Sequence, residues 1–561
     1  MTETAGTKLS SPVRSAPAVL IVGAGPTGLT LAIDLGKRGV RCTLIEQKEK
    51  PAFLPKMERI NARSMEIYRR LGLSQKIRAA GLRPDVPMDV YVMLALNEPP
   101  LLHLSYPSVE QAQKNVRESN DGSMPLEPYQ LISQYTLEPL LKSVAETISA
   151  IDVRFACEFM SLKQDPAGVT ACVKTAGGAE EIRAKYLVGC DGGASLVRKE
   201  LGIELSGEGN LLTLRQALFK CDELFERLPL INGHGQGPGR GRHYHIADNK
   251  STFLIMQDST KHWTLHSVVD SDEAMKTQFE RTIGVPVKYA MLSCAPWRQN
   301  LLLADSYGQN RVFIAGDAAH LVIPTGGLGM NSGVGDATDL AWKLAATLAG
   351  WGGPGLLKSY EVERRQIGDR NVGASRYATI GRRKWRGMWR PDIREDSPAG
   401  EETRKKLSAV ADVEQRKSNE MIGAELGYRY VDSPIVCNIP GGPEHLFREY
   451  HPTTWPGARL PHVWLDGGTP LQDKIADGYT VLKLAGTKAD AGGLRDAIAA
   501  RGAPVRVLDV PDKVARDVYG YDLVLIRPDM HVVWRGNAAP EDAGKVADIA
   551  TGHAADPAAR A

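Results

Sequence analysis

The chain has 561 residues, more than one hydrophobic core can organise, so two or three domains are expected. Lys and Arg (69) nearly balance Asp and Glu (66), which gives no electrostatic argument for nucleic acid or an anionic membrane, and no apolar run could span a bilayer. The cysteines are scattered without disulfide or zinc-type spacing, so we expect a reducing, cytoplasmic location and no metal site. Residues 1–17 are polar, lack the apolar segment of a signal peptide and are predicted to be a disordered arm.

The first predicted elements form a βαβ unit around a glycine-rich turn. Ala18–Val22 is an apolar run typical of a strand buried in a parallel sheet, and a helix and a second strand follow it. Gly23 permits the tight turn, Gly25 lets backbone approach a pyrophosphate, and Gly28 lets helix and strand pack closely. Glu46, at the end of the second strand, can accept hydrogen bonds from ribose hydroxyls. The unit predicts a dinucleotide site without distinguishing FAD from a nicotinamide; its expected contacts are Gly23, Gly25, Pro26, Gly28, Glu46 and Gln47.

The central part of the chain predicts an antiparallel sheet at 205–297, to which part of 85–130 contributes. Alternating segments such as Thr252–Met256 and Trp263–Val269 indicate one buried and one open face. The glycine-rich stretch Gly233–Gly241 is expected to be a mobile loop or a tight crossing. If this sheet binds the substrate, the candidate contacts on it are His243, His245, Trp263 and His266.

The C-terminal part, 441–561, predicts a thioredoxin-like domain that follows a helical connection at 396–440. Tyr479–Leu484, a helix and Val505–Val510 give a β-α-β order, and a hairpin and a last helix at Pro540–Ile549 complete it. No cysteine lies beyond Cys437, which excludes a dithiol redox role. We expect this domain to serve packing or dimer contacts.

A second motif distinguishes the cofactor. Arg311–Asp317 reads RVFIAGD, a strand ending in Gly316-Asp317, and Pro324 and a glycine-rich segment precede a helix at Asp336–Leu348. The stretch from Arg311 to Lys343 resembles the flavin-binding signature of the flavoprotein aromatic hydroxylases, which are single-component FAD-dependent monooxygenases. The C-terminal domain points to the phenol hydroxylase-like subgroup. The resemblance implies FAD contacts from Asp317 and from backbone near a helix N-terminus, where amide groups stabilise reduced flavin. The residues it implicates are Gly316, Asp317, Pro324, Gly327, Gly329, Met330 and Asn331, with Pro324 beside the flavin ring and therefore also a candidate substrate contact.

Two further segments are similar to the same family. Asp191-Gly192 resembles its Asp-Gly motif, with Arg198 as a pyrophosphate ligand or, alternatively, a surface residue beside a helix capped by Asp191. Gln134 resembles a glutamine that approaches the flavin, and its alternative is an ordinary polar residue at a helix start. Where the family usually has arginine, this chain has Lys56, so Lys56, Arg59 or Arg63 is expected to provide that FAD contact.

The fold class implied is α/β (α+β overall): a Rossmann-type FAD-binding domain (18–204 and 298–395), an inserted antiparallel substrate domain (205–297) and the thioredoxin-like domain. The implied activity is hydroxylation of a phenol-like aromatic compound through a flavin C4a-hydroperoxide, with NAD(P)H and O2 as co-substrates. The same motifs also fit a polycyclic or polyketide phenol, loss of a nitro or halide substituent, or a non-oxygenating flavin oxidoreductase. We expect a homodimer. The basic run Gly381–Arg390 predicts a solvated helix face or a subunit contact.

Overall fold

The computed structural model describes residues 16–231 and 238–554. Most of the predicted N-terminal arm, residues 1–15, lies outside these ranges, as do 232–237 of the glycine-rich loop and 555–561. No helix in the described ranges has the length and hydropathy needed to cross a membrane.

The helices include one of 33 residues, α10, which runs from the cofactor-binding region to the central sheet. In chain order they are α1 (Pro26–Lys37), α2 (Ala62–Arg70), α3 (Ser74–Ala80), α4 (Val109–Glu118), α5 (Gln134–Glu146), α6 (Leu196–Glu200), α7 (Leu224–Arg227), α8 (Asp272–Ile283), α9 (Gly329–Leu348), α10 (Pro354–Arg386), α11 (Pro398–Asn419), α12 (Ile422–Leu426), α13 (Gly492–Ala499), α14 (Lys513–Tyr519) and α15 (Ala543–Thr551).

The strands form three principal sheets and several small ones. In chain order they are β1 (Val19–Val22), β2 (Cys42–Ile45), β3 (Arg59–Ile60), β4 (Val90–Met93), β5 (Leu102–Leu104), β6 (Gln130–Leu131), β7 (Ile151–Arg154), β8 (Glu158–Asp165), β9 (Gly168–Thr175), β10 (Gly178–Ala184), β11 (Tyr186–Gly189), β12 (Leu205–Glu208), β13 (Thr213–Lys220), β14 (His243–Ile246), β15 (Phe253–Met256), β16 (His262–Ser267), β17 (Ala290–Arg298), β18 (Leu301–Ala304), β19 (Gly308–Gln309), β20 (Val312–Ile314), β21 (His320–Leu321), β22 (Trp464–Leu465), β23 (Thr469–Pro470), β24 (Tyr479–Leu484), β25 (Val505–Val510), β26 (Leu523–Ile526) and β27 (Val532–Gly536).

The first sheet has the order β19-β20-β11-β1-β2-β7. Its five strands from β20 to β7 are mutually parallel, and every residue of β1, β2 and β11 is buried because helices α1 and α9 cover the sheet. The carboxyl ends of these parallel strands lie at one edge, which is where ligands bind in sheets of this type. The predicted Rossmann-type architecture is confirmed.

The second sheet has the order β17-β13-β16-β15-β14-β4-β5. Strands β4 and β5 come from the 85–130 segment, as the sequence predicts. Two features differ from the predicted antiparallel sheet at 205–297. First, β14 is parallel to β4, because the chain enters the sheet twice from separate segments. Second, β12 pairs with β18 in a small sheet of its own. Helix α8, which the sequence analysis did not identify, packs on one face of the large sheet through Met275 and Phe279.

The third sheet has the order β25-β24-β26-β27, with β24 and β25 parallel and the remaining pairs antiparallel, which is the thioredoxin-type arrangement. Helix α14 lies between β25 and β26 and was not predicted. Buried ion pairs join this domain to the first: Arg527 binds Glu363 at 2.5 Å and Asp339 at 3.0 Å, and Arg459 binds Glu66. The segment around Arg527 therefore holds the C-terminal domain against the FAD-binding domain.

Candidate flavin site and substrate face

The glycine turn after β1 has the geometry that a pyrophosphate requires. Gly23 has a φ of +104°, and a Cβ there would lie 2.4 Å from the Cys190 carbonyl oxygen. A Cβ on Gly28 would lie 2.0 Å from the Gly23 carbonyl oxygen, so helix α1 can approach the turn only with glycine at this position. A Cβ on Gly25 would meet nothing within 4 Å. Pro26 starts α1, and no side chain caps the helix, so its first amide groups can bind an anion.

Glu46 lies beside this turn at the carboxyl end of β2. Its Oε2 accepts from the Ala24 amide at 3.0 Å and its Oε1 from the Lys48 amide at 3.0 Å. These bonds place the carboxylate across the turn, where its remaining lone pairs can accept from ribose hydroxyls. Gln47 is exposed next to it.

Asp336 holds the Gly316-Asp317 loop through three bonds that the sequence did not reveal. The carboxylate of Asp336 accepts from the Gly316 amide at 3.0 Å, from Arg364 Nε at 2.8 Å, and contacts His320 Nε2 at 2.8 Å. Burial by itself raises the pKa of Asp336, but the Arg364 charge, followed by His320, outweighs it and holds the pKa below its ordinary value. The charged Asp336 side chain therefore fixes the position of the Gly316-Asp317 loop.

The Asp317 side chain is exposed to solvent within the cleft between the cofactor loops. The surrounding protein raises the pKa of Asp317, and the charges of His320 and Lys56 oppose that increase. An exposed side chain inside such a cleft is available to a ribityl hydroxyl.

Of the three cations predicted as alternatives, only Lys56 is exposed and free of ion pairs in the described residues. Burial raises the pKa of Asp317 and of Glu138, and the Lys56 charge opposes both increases, so Lys56 lies near both carboxyl groups. Arg59 is buried and binds Glu425 at 2.8 Å. Arg63 is buried, lies 3.6 Å from Glu66 and donates to the Asp529 carbonyl at 2.9 Å. Arg63 thus contacts the C-terminal domain, because the predicted helix α2 also forms the domain interface.

The start of α9 is a second uncapped helix N-terminus facing the cleft. Gly326 and Gly327 both have positive φ angles, and Pro324 is exposed in the loop before them. Asn331 is fully engaged: its Oδ1 accepts from the Asn61 amide at 3.0 Å and its Nδ2 donates to the Gly327 carbonyl at 2.7 Å. Asn331 thus fixes the loop, and a ligand here would meet the backbone of Gly329 and Met330, as the resemblance implies.

The Asp191 and Gln134 motifs have local roles in the structure. Asp191 accepts from Ser195 Oγ at 2.6 Å and from the Leu196 amide at 2.8 Å, so it caps α6. Arg198 is buried and donates to the Ala318 and Gly193 carbonyls, both at 3.0 Å. It therefore joins the two cofactor loops and is neither a surface residue nor a free pyrophosphate ligand. Gln134, at the start of α5, donates to Glu138 at 2.6 Å.

The seven-stranded sheet presents its histidines on one face and Trp263 on the other. Because side chains alternate along a strand, His243 and His245 share a face of β14, and the register places His266 on that same face opposite Phe253. The rings of His266 and Phe253 stack at 4.4 Å. Trp263 lies in the core beneath α8. The assignment of Trp263 as a substrate contact is therefore wrong, because its position in the register points it away from the open face.

The three histidines are held neutral. Burial, followed by nearby arginine charges, lowers the pKa of His243 to about 4. Burial lowers the pKa of His266 to about 3, and that of His245 well below its ordinary value. Among described atoms, the Nδ1 atoms of all three rings are buried without a hydrogen-bond partner. His245 uses its Nε2 to contact Gln415 at 3.1 Å, and His243 Nε2 lies 3.4 Å from Glu58 Oε1. His266 makes no hydrogen bond in the described part of the chain.

Comparison with known proteins agrees with this geometry. A family model described as an FAD binding domain matches residues 17–375, and one described as aromatic-ring hydroxylase, C-terminal, matches residues 453–556. The FAD-dependent monooxygenase apdD of Emericella nidulans is 33% identical over 95% of this chain and 90% of its own length. The rebeccamycin biosynthetic enzyme RebC with reduced flavin has a TM-score of 0.86 at 30% identity, covering 96% of this chain and 99% of that one. Aklavinone-11 hydroxylase in complex with FAD and aklavinone has a TM-score of 0.78 at 28% identity, covering 95% and 98%.

The fold and the cleft define a flavoprotein oxidoreductase whose cofactor is FAD. Free helix amide groups, the open space at Gly25, the carboxylates of Glu46 and Asp317 and the Lys56 ammonium all fit that cofactor. The chain belongs to the flavoprotein aromatic hydroxylase family and is an FAD-dependent aromatic monooxygenase.

Proposed function

We propose that this enzyme hydroxylates a polycyclic, phenol-bearing aromatic compound, with NAD(P)H as electron donor and O2 as co-substrate. The observation that supports this best is the position of neutral histidines on the sheet face next to the flavin loop, each with a buried Nδ1 that has no hydrogen-bond partner among the described atoms. His266 lies 6.2 Å from the Trp297 ring, and Trp297 packs with Ile323, the neighbour of Pro324. A continuous wall therefore runs from the histidines to the expected flavin face.

The residues of this wall suit a phenol. A neutral imidazole nitrogen accepts a hydrogen bond from a phenol hydroxyl, which increases the electron density of the ring that is to be oxygenated. His243 and His266 have such nitrogens and stay neutral at pH 7. Phe253 and Trp297 provide apolar surface that excludes water. FAD, when bound, supplies the reduction and oxygen activation that protein side chains cannot.

Three cofactor contacts are also part of this proposal. Lys56 would meet the FAD pyrophosphate, Asp317 the ribityl chain, and the amides of Gly329 and Met330 the flavin ring. Lys56 is supported by its charge between Asp317 and Glu138. The polycyclic substrate is supported by the relative that binds aklavinone and by the length of the wall.

The test is oxidation of NADH and of NADPH by the purified holoenzyme with mono-, bi- and tricyclic phenols, under heavy oxygen gas. The proposal expects stimulation by a polycyclic phenol and a product carrying one labelled oxygen atom. His266→Leu should slow this turnover, whereas His451→Gln, on an exposed side chain, should not. Labelled hydrogen peroxide with unlabelled product would show a flavin oxidoreductase that does not oxygenate, and released nitrite or halide would show substituent loss.

A further inference from the structure

Helix α10 carries a polar stripe across the substrate face. Its members recur three or four residues apart, so they share one side of the helix: Asn371, Ser375, Thr379, Arg382 and Arg386. Asn371 donates to Ser332 Oγ at 2.7 Å, and Ser375 donates to the Ile323 carbonyl at 2.7 Å. Arg386 donates to the Ile246 carbonyl at 3.0 Å and to the Thr252 carbonyl at 2.8 Å. The stripe thus leads from the flavin loop to the end of the histidine-bearing strands.

Arg382 is the member of this stripe with an unmatched charge. Its guanidinium lies 5.1 Å from the centre of the Phe253 ring, and in the described ranges it forms no hydrogen bond or ion pair. Its Nε is buried. The internal stretch 232–237 contains no Asp or Glu that could pair with it. One turn away, Thr379 Oγ1 is also buried without a described partner.

The surrounding charges do not neutralise Arg382. The nearby carboxylate of Glu58 is already bound by Arg242, and Asp248 lies 3.8 Å from Arg386. Burial, then the charges of Arg386 and Arg242, lower the pKa of Arg382 to about 9, so it remains a cation at neutral pH. The Arg382 side chain is half-buried with its Nε enclosed, and a partly buried cation with no carboxylate partner is open to the counter-charge of a ligand. The His243 and His266 rings, each with an Nδ1 that has no described hydrogen-bond partner, lie close enough for the Arg382 charge to add to the effect of burial in lowering their pKa.

We infer that Arg382 is a substrate-recognition residue that binds an anionic oxygen of the aromatic substrate, a carboxylate or an ionised phenol. The inference rests on the proposed function and adds the substrate's charge to it. A guanidinium presents a planar fork of donors that matches such oxygens and discriminates against neutral groups. Thr379 and the Nδ1 of His266 complete a polar end of the pocket.

The position of Arg382 also sets a length for the substrate. Ser375, which binds the flavin loop, precedes Arg382 by two helical turns, a separation of about 10 Å. A single ring with its substituents does not span from the flavin loop to Arg382, whereas a fused tricyclic system does. The anionic group therefore lies at the end of the substrate remote from the carbon that is oxygenated.

The experiment measures dissociation constants for the holoenzyme from perturbation of the visible flavin spectrum. The probes are anthracene-2-carboxylate against its carboxamide, and 2-hydroxyanthracene against 2-methoxyanthracene. Arg382→Gln is compared with wild type, with Arg382→Lys, which keeps the charge, and with Arg383→Gln, a control on the next, exposed residue. Because Arg382 makes no protein hydrogen bond in the described residues, Arg382→Gln should retain FAD and melt no lower than wild type. Loss of FAD in that variant would contradict the unpartnered state.

The expected result is that wild type binds the carboxylate, or the phenol that can ionise in the site, about 10- to 100-fold tighter than its amide or ether counterpart. Arg382→Gln should abolish this preference, Arg382→Lys should keep part of it, and Arg383→Gln should leave it unchanged. Tighter binding of the carboxylate than of its carboxamide identifies a carboxylate as the group that Arg382 binds. Tighter binding of the phenol than of its methyl ether identifies an ionised phenol. Equal binding within both pairs, a preference that survives Arg382→Gln, or no binding of either anionic probe would overturn the inference. If the product carries labelled oxygen but probe binding shows no Arg382-dependent preference, only this subsite is refuted. If that binding preference is found but no substrate is oxygenated, only the proposed function is refuted.

Discussion

Replacing Asp336 by Asn should weaken FAD retention more than any comparable change on the protein surface. The substitution preserves the shape of the side chain but removes the charge that Arg364 and His320 share. Arg364 would remain buried without a counter-charge on Asp336, and its other hydrogen-bond acceptors in the described residues are neutral: the Tyr430 hydroxyl at 3.1 Å and the Ser332 carbonyl at 3.2 Å. Removing one partner of a buried pair costs about 3–5 kcal/mol, because the other charge is left uncompensated.

That energy would appear in cofactor binding because Asp336 also holds the Gly316 amide. If loosening of this loop is coupled to release of FAD, a loss of about 3 kcal/mol corresponds to about a 100-fold higher dissociation constant. The loss of stability is measured from the temperature at which flavin is released, as monitored by flavin fluorescence. The loss of affinity is measured separately by equilibrium dialysis against FAD.

Two variants test the reasoning. Arg364→Met combined with Asp336→Asn removes both charges and should recover much of the loss. Arg376 lies on the same helix as Arg364, α10, and forms an exposed ion pair with Glu208 of β12. Arg376→Gln breaks that pair and should cost less than about 1 kcal/mol. The reasoning is refuted if Asp336→Asn retains FAD as well as Arg376→Gln does, or if the losses from the two single changes at Asp336 and Arg364 simply add.

Three further predictions concern the cofactor turn, its cation and the histidines. Gly25→Ala should leave the apoprotein's melting temperature unchanged but weaken FAD binding, as measured by dialysis. Gly28→Ala should reduce the yield of folded protein, as measured by circular dichroism, because only a Cβ at Gly28 meets backbone. Lys56→Gln should weaken FAD binding about tenfold and Lys56→Arg should not, as measured by flavin fluorescence. His243, whose pKa burial lowers from 6.5 to about 4, takes up its proton more readily in the unfolded chain, so stability falls as the pH drops across that window. His243→Gln should make the fall shallower by up to about 1.4 kcal/mol per pH unit, and an unchanged profile of melting temperature against pH would contradict this.

The local motifs could be predicted because their conformations depend on a few neighbouring residues. A strand, three glycines and a helix form one continuous turn at Gly23–Gly28, and the structure has strand and helix where the sequence places them. Helix α14 was missed because it is short, and its core contacts, Ala515 and Tyr519, lie against distant strands. The start of α9 at Gly329 was placed too late, since its first turn is rich in glycine and polar residues and stabilised by tertiary contacts such as Asn331 with Asn61.

The sequence by itself determined a dinucleotide site, the parallel sheet and a C-terminal domain without a dithiol, because glycine spacing, buried apolar runs and the absence of cysteine are properties of short segments. FAD as the dinucleotide followed from the resemblance of Arg311–Lys343 to a known flavin-binding signature. Only the tertiary structure decided which side chains share a space. Strand register separated His266 from Trp263, and helix packing turned Arg382 of an apparently solvated basic run toward the substrate face. The contacts of Arg63 with Asp529 and of Arg527 with Glu363 likewise join residues 466 and 164 positions apart in the chain. Charge partners are chosen by distance in space, which residue spacing along the chain does not encode.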